Sequence, residues 1–483
     1  MIPSPLLAHA FGVRYDLPLP LWLFVLGGAV VVIVSFLLVE GRAVRAAGPV
    51  EPRDRALPPP ATGAARLAGA LAVLVLALLI WAGLTGAQDI PENILPTWFW
   101  IVVWVVAPLT CGVLGNWTRP VNPYGWLSTV ADRPGLRRAL LTTEAPLRWP
   151  DRLGWWPAAV LLFATACAEL VFNRSMTLPR NLALALLGYA VLCLVAGALF
   201  GRAWLERGEM LSVLLSTWGR LGFFRFGAPG RRGFAGGFDV PFEASASRIA
   251  FVLLLLVNVN FDGLLATPRW QRFEQSLPGG IDAAHADRLE AFRTLTFLVL
   301  ALALAAVLSA FAVAAARAGR HGTSARAALA GLLPSILPIA FGYLLAHYFQ
   351  YVLLNGQLLA PLIGNPVGKE SWPIHLPYPF NDDYEPHLHF LPSGFYWYFA
   401  VVVIVAAHVV AVLVAHRHLA TSSADRATAR ASERPWLVAM VGYTMLSLWL
   451  LAQPLVKESG NQPQEALPRP VATWEAGPPA GAP

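Results

Sequence analysis

Charge is what this chain has least of. Only 13% of its 483 residues are Asp, Glu, Lys or Arg, against about 25% in a typical soluble domain. Cysteine is scarcer still: Cys111, Cys167 and Cys193 are the three present, each inside an apolar run and none in CxxC spacing. They read as small buried hydrophobes, which excludes a disulfide framework and a thiolate zinc site. No Walker A sequence appears, so a nucleotide-driven pump is disfavoured. HExxH, CxxCH and a GxSxG placed between strand and helix are also missing, which removes the commoner zinc-protease, c-type haem and serine-hydrolase chemistries. Residues 1–20 lack the basic start and long apolar stretch of a cleavable signal. The formal charge is +7, yet no long soluble segment gathers the basic residues; nucleic acid is not the expected partner.

Long apolar runs are what the chain has instead. Hydrophobic residues make up 57% of it, and its 18 Trp are of a type that collects at membrane interfaces. Ten stretches approach the ~20 residues needed to cross a hydrocarbon core: 20–39, 66–85, 95–115, 155–174, 181–201, 248–267, 294–316, 329–354, 395–416 and 435–455. The expected fold is therefore an all-α polytopic membrane bundle, a single transmembrane domain over residues 1–456 in contact with the lipid bilayer. A disordered Pro-rich tail is expected over 457–483. The connections after the first, third, fifth, seventh and ninth spans, with their flanks, hold 25 of the 35 Lys and Arg. By the positive-inside rule those loops are cytoplasmic, and both termini and the acidic 355–394 loop are outside. The segment 208–226 is apolar but too interrupted to span. It reads as an interfacial amphipathic helix or a re-entrant piece.

Ionisable groups in a bilayer cost about 2.5–3.5 kcal/mol each on insertion scales and tend to be kept where they act. Five stand in the apolar runs: Glu169, Asp262, His347, His408 and His416. Counting ~1.5 Å per residue puts Glu169 and Asp262 about 8 Å below the outer surface and His347 about 10 Å. These three can share one layer, with Asn258 a turn from Asp262 and with Tyr343, Gln350 and Tyr351 on the face of His347. The expected ligand or ion site is Glu169, Asp262, His347, Asn258 and Gln350. Ion pairing of the two carboxylates with Arg174, Arg180 or Arg269 is the structural alternative. His408 lies deeper and suits a relay. It is too far from His347 to share a metal unless the helices bend, and poorly level with it for a non-covalent haem, which stays open. It could equally fasten two helices. His416, in His416-Arg417-His418, reads as part of an interfacial basic cluster. Pro334 and Pro338 are expected to free backbone carbonyls toward a cavity. Outside the membrane, His375, Asp382, Asp383, His387 and His389 form a weak metal-like patch. His9 and Asp16 could cap the outer layer.

Several segments carry a resemblance: Leu7 to Gly12 with Asp16 to Phe24, FDGLLATPRW at 261–270, GYLLAHYFQYVLLNGQ at 342–357, AHVVAVLVAH at 407–416 and GYTMLSLWLL at 442–451. In these the chain resembles a bacterial polytopic membrane family, some of whose members are labelled fenitrothion hydrolase. The resemblance implies a bacterial inner-membrane location and suggests hydrolysis of an organophosphate ester. It supplies no catalytic residues to carry over. Glu169, Asp262 and His347 could then hold a divalent metal that activates water. Three classes of function stay open: handling of a cation, proton or small solute at an outward-facing polar site, metal-assisted ester hydrolysis, and a non-catalytic subunit of a membrane complex.

Overall fold

The computed structural model describes residues 15–16, 19–40, 57–141, 143–224, 241–278, 286–387 and 391–457. His9, His389 and all of the expected tail except Lys457 lie outside these described residues. The protein is an all-helical membrane bundle. Its principal helices are α1 (Leu21–Val39), α2 (Gly63–Thr85), α3 (Ile94–Leu114), α4 (Trp156–Leu170), α5 (Pro179–Phe200), α6 (Met210–Trp218), α7 (Ala246–Leu265), α8 (Pro268–Ser276), α9 (Ala286–Ala318), α10 (Ala325–Asn355), α11 (Ser393–Ser422) and α12 (Arg426–Leu455). The one strand pairing among the described residues joins Tyr15–Asp16 to Val456–Lys457. It brings the two ends of the bundle together on one side.

Nine of these helices are long and apolar enough to cross a membrane among the described residues. The tenth expected span, 155–174, is shorter than the hydropathy implied. Gly154 adopts a left-handed φ of 46° just before it, and the helix stops at Leu170 ahead of a separate turn, Asn173–Met176. Its 15 residues cover only about 22 Å at 1.5 Å per residue. The segment expected to be interfacial or re-entrant contains α6, and seven of its nine residues are buried. It is a helix packed inside protein, with no surface-lying face.

The axis of the bundle is α10, where 22 of 31 residues are buried. Small residues let it approach α11 closely, as is common between membrane helices. A Cβ on Gly331 would sit 2.4 Å from the His418 ring, and one on Gly342 would sit 2.4 Å from the Ala407 Cβ. The helix is continuous through Pro334 and Pro338. Pro334 has no N–H for the Ala330 carbonyl, but that carbonyl accepts from the Phe242 amide at 3.1 Å. At this proline the freed group is satisfied by protein backbone and opens toward no cavity, which corrects the expectation. At the opposite extreme α9 is peripheral, with six of its 33 residues buried.

Candidate functional site

Four helices deliver polar side chains to one end of the bundle, the end where α10 runs into the acidic loop. Helix α3 begins at Asn93, whose side chain accepts from the Leu95 amide, and over Trp98–Val106 it is wound as a π-helix. Such windings are rare and recur at functional sites. The segment carries Trp100 and Trp104, whose rings meet edge to face at 6.2 Å. The last turns of α4 and α7 bring Glu169 and Asp262, and α10 brings His347, Tyr348 and Tyr351.

These groups are bonded to one another. His347 Nε2 lies 2.6 Å from Asp262 Oδ2, both side chains at least nine-tenths buried. The Trp104 indole N–H donates to Glu169 Oε2 at 2.7 Å, the Tyr348 hydroxyl donates to Oε1, and Asn258 also hydrogen-bonds the carboxylate. An indole N–H can only donate, so both Glu169 oxygens accept from neighbouring side chains. Trp104, Tyr348 and Asn258, from three different helices, thus fix the carboxylate at the end of α4.

A cavity of about 570 Å³ opens above this cluster. Glu169, Asp262 and His347 all line it, together with Trp100, Tyr348 and Tyr351. Its rim carries Arg174, Asn173, Gln271, Glu274 and Arg293, which it shares with a second chamber of about 290 Å³. At the rim Arg293 grips Glu274 with two bonds of 2.7 Å, and the Trp270 indole donates to the same carboxylate. The Thr97 hydroxyl and the Trp100 indole N–H have no hydrogen-bond partner among the described residues, although both residues are more than nine-tenths buried in the cavity wall.

Other sequence-selected residues fall elsewhere. Asn258 supports Glu169 from outside the cavity lining, and Gln350 is buried away from that lining. His408 is fully buried, and its Nδ1 bonds the Ile404 carbonyl of its own helix at 2.8 Å. It does not line the cavity; its ring lies 6.2 Å from that of Tyr443, which exchanges hydrogen bonds with Asn260. His416 corrects the sequence reading. It is buried, and its Nδ1 meets Glu433 Oε1 at 2.8 Å. The tight turn between α11 and α12 makes these helices antiparallel, so residues roughly equidistant from residue 424 come face to face. That symmetry was the available signal. Arg248, one of the basic residues flanking an expected cytoplasmic loop, is fully buried over the Trp155 ring at 4.3 Å, with a hydrogen bond to Thr217.

Metal binding was tested on the donors themselves. No group of three or more His, Cys, Asp or Glu side chains among the described residues is placed to hold a metal ion. At the cavity floor the reason is visible: His347 faces Asp262, while both Glu169 oxygens are taken by Trp104 and Tyr348. As arranged, the residues do not fit a resident metal. The loop patch of His375, Asp382, Asp383 and His387 likewise forms no such group.

No family model, no curated protein and no solved structure matches this chain.

Proposed function

We propose that this multi-pass membrane protein handles a small solute or cation at an outward-opening site, with Glu169, Asp262 and His347 at its floor. One observation carries the reading: three ionisable groups, costly inside a bilayer, stand on separate helices yet line a single cavity. About 570 Å³ lies within the ~300–1,000 Å³ range of small-molecule sites. The basic residues flanking alternate connections support an orientation in which this cavity faces outward.

The test is access. Ala266 and Thr177 line the cavity, and all three native cysteines are buried, so an introduced thiol has little background. Ala266→Cys and Thr177→Cys are expected to react with a membrane-impermeant maleimide added outside intact cells. Labelling only after the inner face is opened would overturn the outward orientation.

A second reading is supported by the His347–Asp262 pair. A histidine held by a carboxylate at the floor of an aromatic-lined cavity has the form of a general base. The hydrolase label of the resembling family gives it a substrate class, organophosphate esters. Purified protein would then release the phenolate of fenitrothion, and His347→Asn would slow that release about a hundredfold. Absence of turnover above buffer removes this reading.

A further inference from the structure

The walls of the cavity differ in kind from its floor. The floor carries two carboxylates against one histidine: Glu169 accepts from donors on both oxygens, and Asp262 is bonded to His347. Trp100, Tyr348 and Tyr351 share the cavity lining with them. Aromatic faces attract cations, most strongly in Trp and most where water is excluded. A carboxylate framed by aromatics therefore favours a positive charge with an apolar skin over a bare, strongly hydrated ion.

The second observation lies on the α3 wall. Thr97 Oγ1 and Trp100 Nε1 are buried without a partner among the described residues. A buried donor left unsatisfied is costly, so a ligand that brings an oxygen to this wall recovers that cost. Trp104, one turn further along α3, holds Glu169. The acceptor and the positive charge of a bound ligand would thus be separated by about one helical turn, ~5 Å.

We infer that the cavity takes an organic cation, an amine or quaternary ammonium, bearing a hydrogen-bond acceptor a few bonds from its charge. The inference rests on the solute-binding reading above and narrows its chemistry. At the rim the Arg293 charge is cancelled by Glu274. Arg174 has no ion-pair partner among the described residues and is exposed there, where its charge meets water and makes ligand entry sensitive to salt.

Calorimetry on the purified full-length protein in detergent tests this with three probes. Acetylcholine has both features, tetramethylammonium has the charge alone, and the ester in which carbon replaces the nitrogen has the acceptor alone. Acetylcholine is expected to bind about tenfold more tightly than either partial probe. Thr97→Val should bring it down to the affinity of tetramethylammonium, and Glu169→Gln should remove the preference for charge. If the uncharged ester binds as tightly as acetylcholine, the cationic class falls while the solute site stands. If no probe gives heat, the organic-cation inference is overturned, while the thiol-labelling test decides the outward-opening site separately. The comparison of probes on the wild-type protein needs no variant to fold.

Discussion

Two histidine–carboxylate pairs occupy this bundle, and they differ in what surrounds them. His347–Asp262 and His416–Glu433 are separated by 2.6 and 2.8 Å, and every side chain in them is at least nine-tenths buried. The first pair lines a cavity; neither residue of the second lines one of the described pockets. His416 and Glu433 are gripped between α11 and α12, and each retains one polar atom without a partner among the described residues. The same chemistry therefore serves two ends. Beside open volume it is available to a ligand, whereas inside packed protein it fastens a helical hairpin.

The comparison breaks most sharply at Glu433. Glu433→Ala leaves the His416 imidazole without its hydrogen-bond partner beside a new cavity and should cost about 2–4 kcal/mol, read as a lowered thermal midpoint in detergent. Replacing His416 and Glu433 together by Leu should recover most of that loss, because a buried polar pair is seldom worth more than a well-packed apolar pair. Failure of the double variant to recover would show that the inner pair does more than fasten.

Next comes Asp262→Asn. Water can enter beside it, so the stability cost should be smaller, about 1–2 kcal/mol. Binding of acetylcholine should fall at least about tenfold, since one charge at the floor is removed. A stability loss as large as that of Glu433→Ala, with binding intact, would erase the distinction between the pairs. Trp104→Phe keeps the ring but removes the donor to Glu169. A hydrogen bond to a charged group is worth about 1.5–3 kcal/mol, and here part of it should appear as a severalfold loss in binding. The smallest effect is expected at the rim. Arg174→Gln should leave stability within about 0.5 kcal/mol and change chiefly the salt dependence of binding, measured by titration at low and high ionic strength.

The architecture was legible in the sequence because membrane spans announce themselves by length and apolarity. The common depth of Glu169, Asp262 and His347 followed from the fixed rise of a helix. Which helices are neighbours did not follow, and the missed residues trace to that. Trp104 and Tyr348 read as ordinary span aromatics until α3, α4 and α10 are seen to converge on Glu169. Glu433 sits just before the last expected span and reads as a loop charge; only the antiparallel return of α12 places it on His416. Gln350 shares the helical face spacing of His347, yet the cavity stops short of it. Spacing along one helix says which way residues point, and the neighbouring helices decide what they meet.

The exposed helix α9 has a consequence for the cavity rim. At 33 residues it is about 50 Å long, while its apolar run over 294–316 covers about 35 Å, close to a hydrocarbon thickness of ~30 Å. Its first turns, with Asp287, Arg288, Glu290 and Arg293, therefore extend past the apolar layer. Its early turns carry Arg293, which clasps Glu274 at the rim, and Phe297, which stacks on Phe261 at 4.6 Å. A helix that outruns the hydrocarbon core carries its first turns, and the rim clasp with them, beyond the lipid; one wall of the mouth is thus held by the span least buried among the described helices.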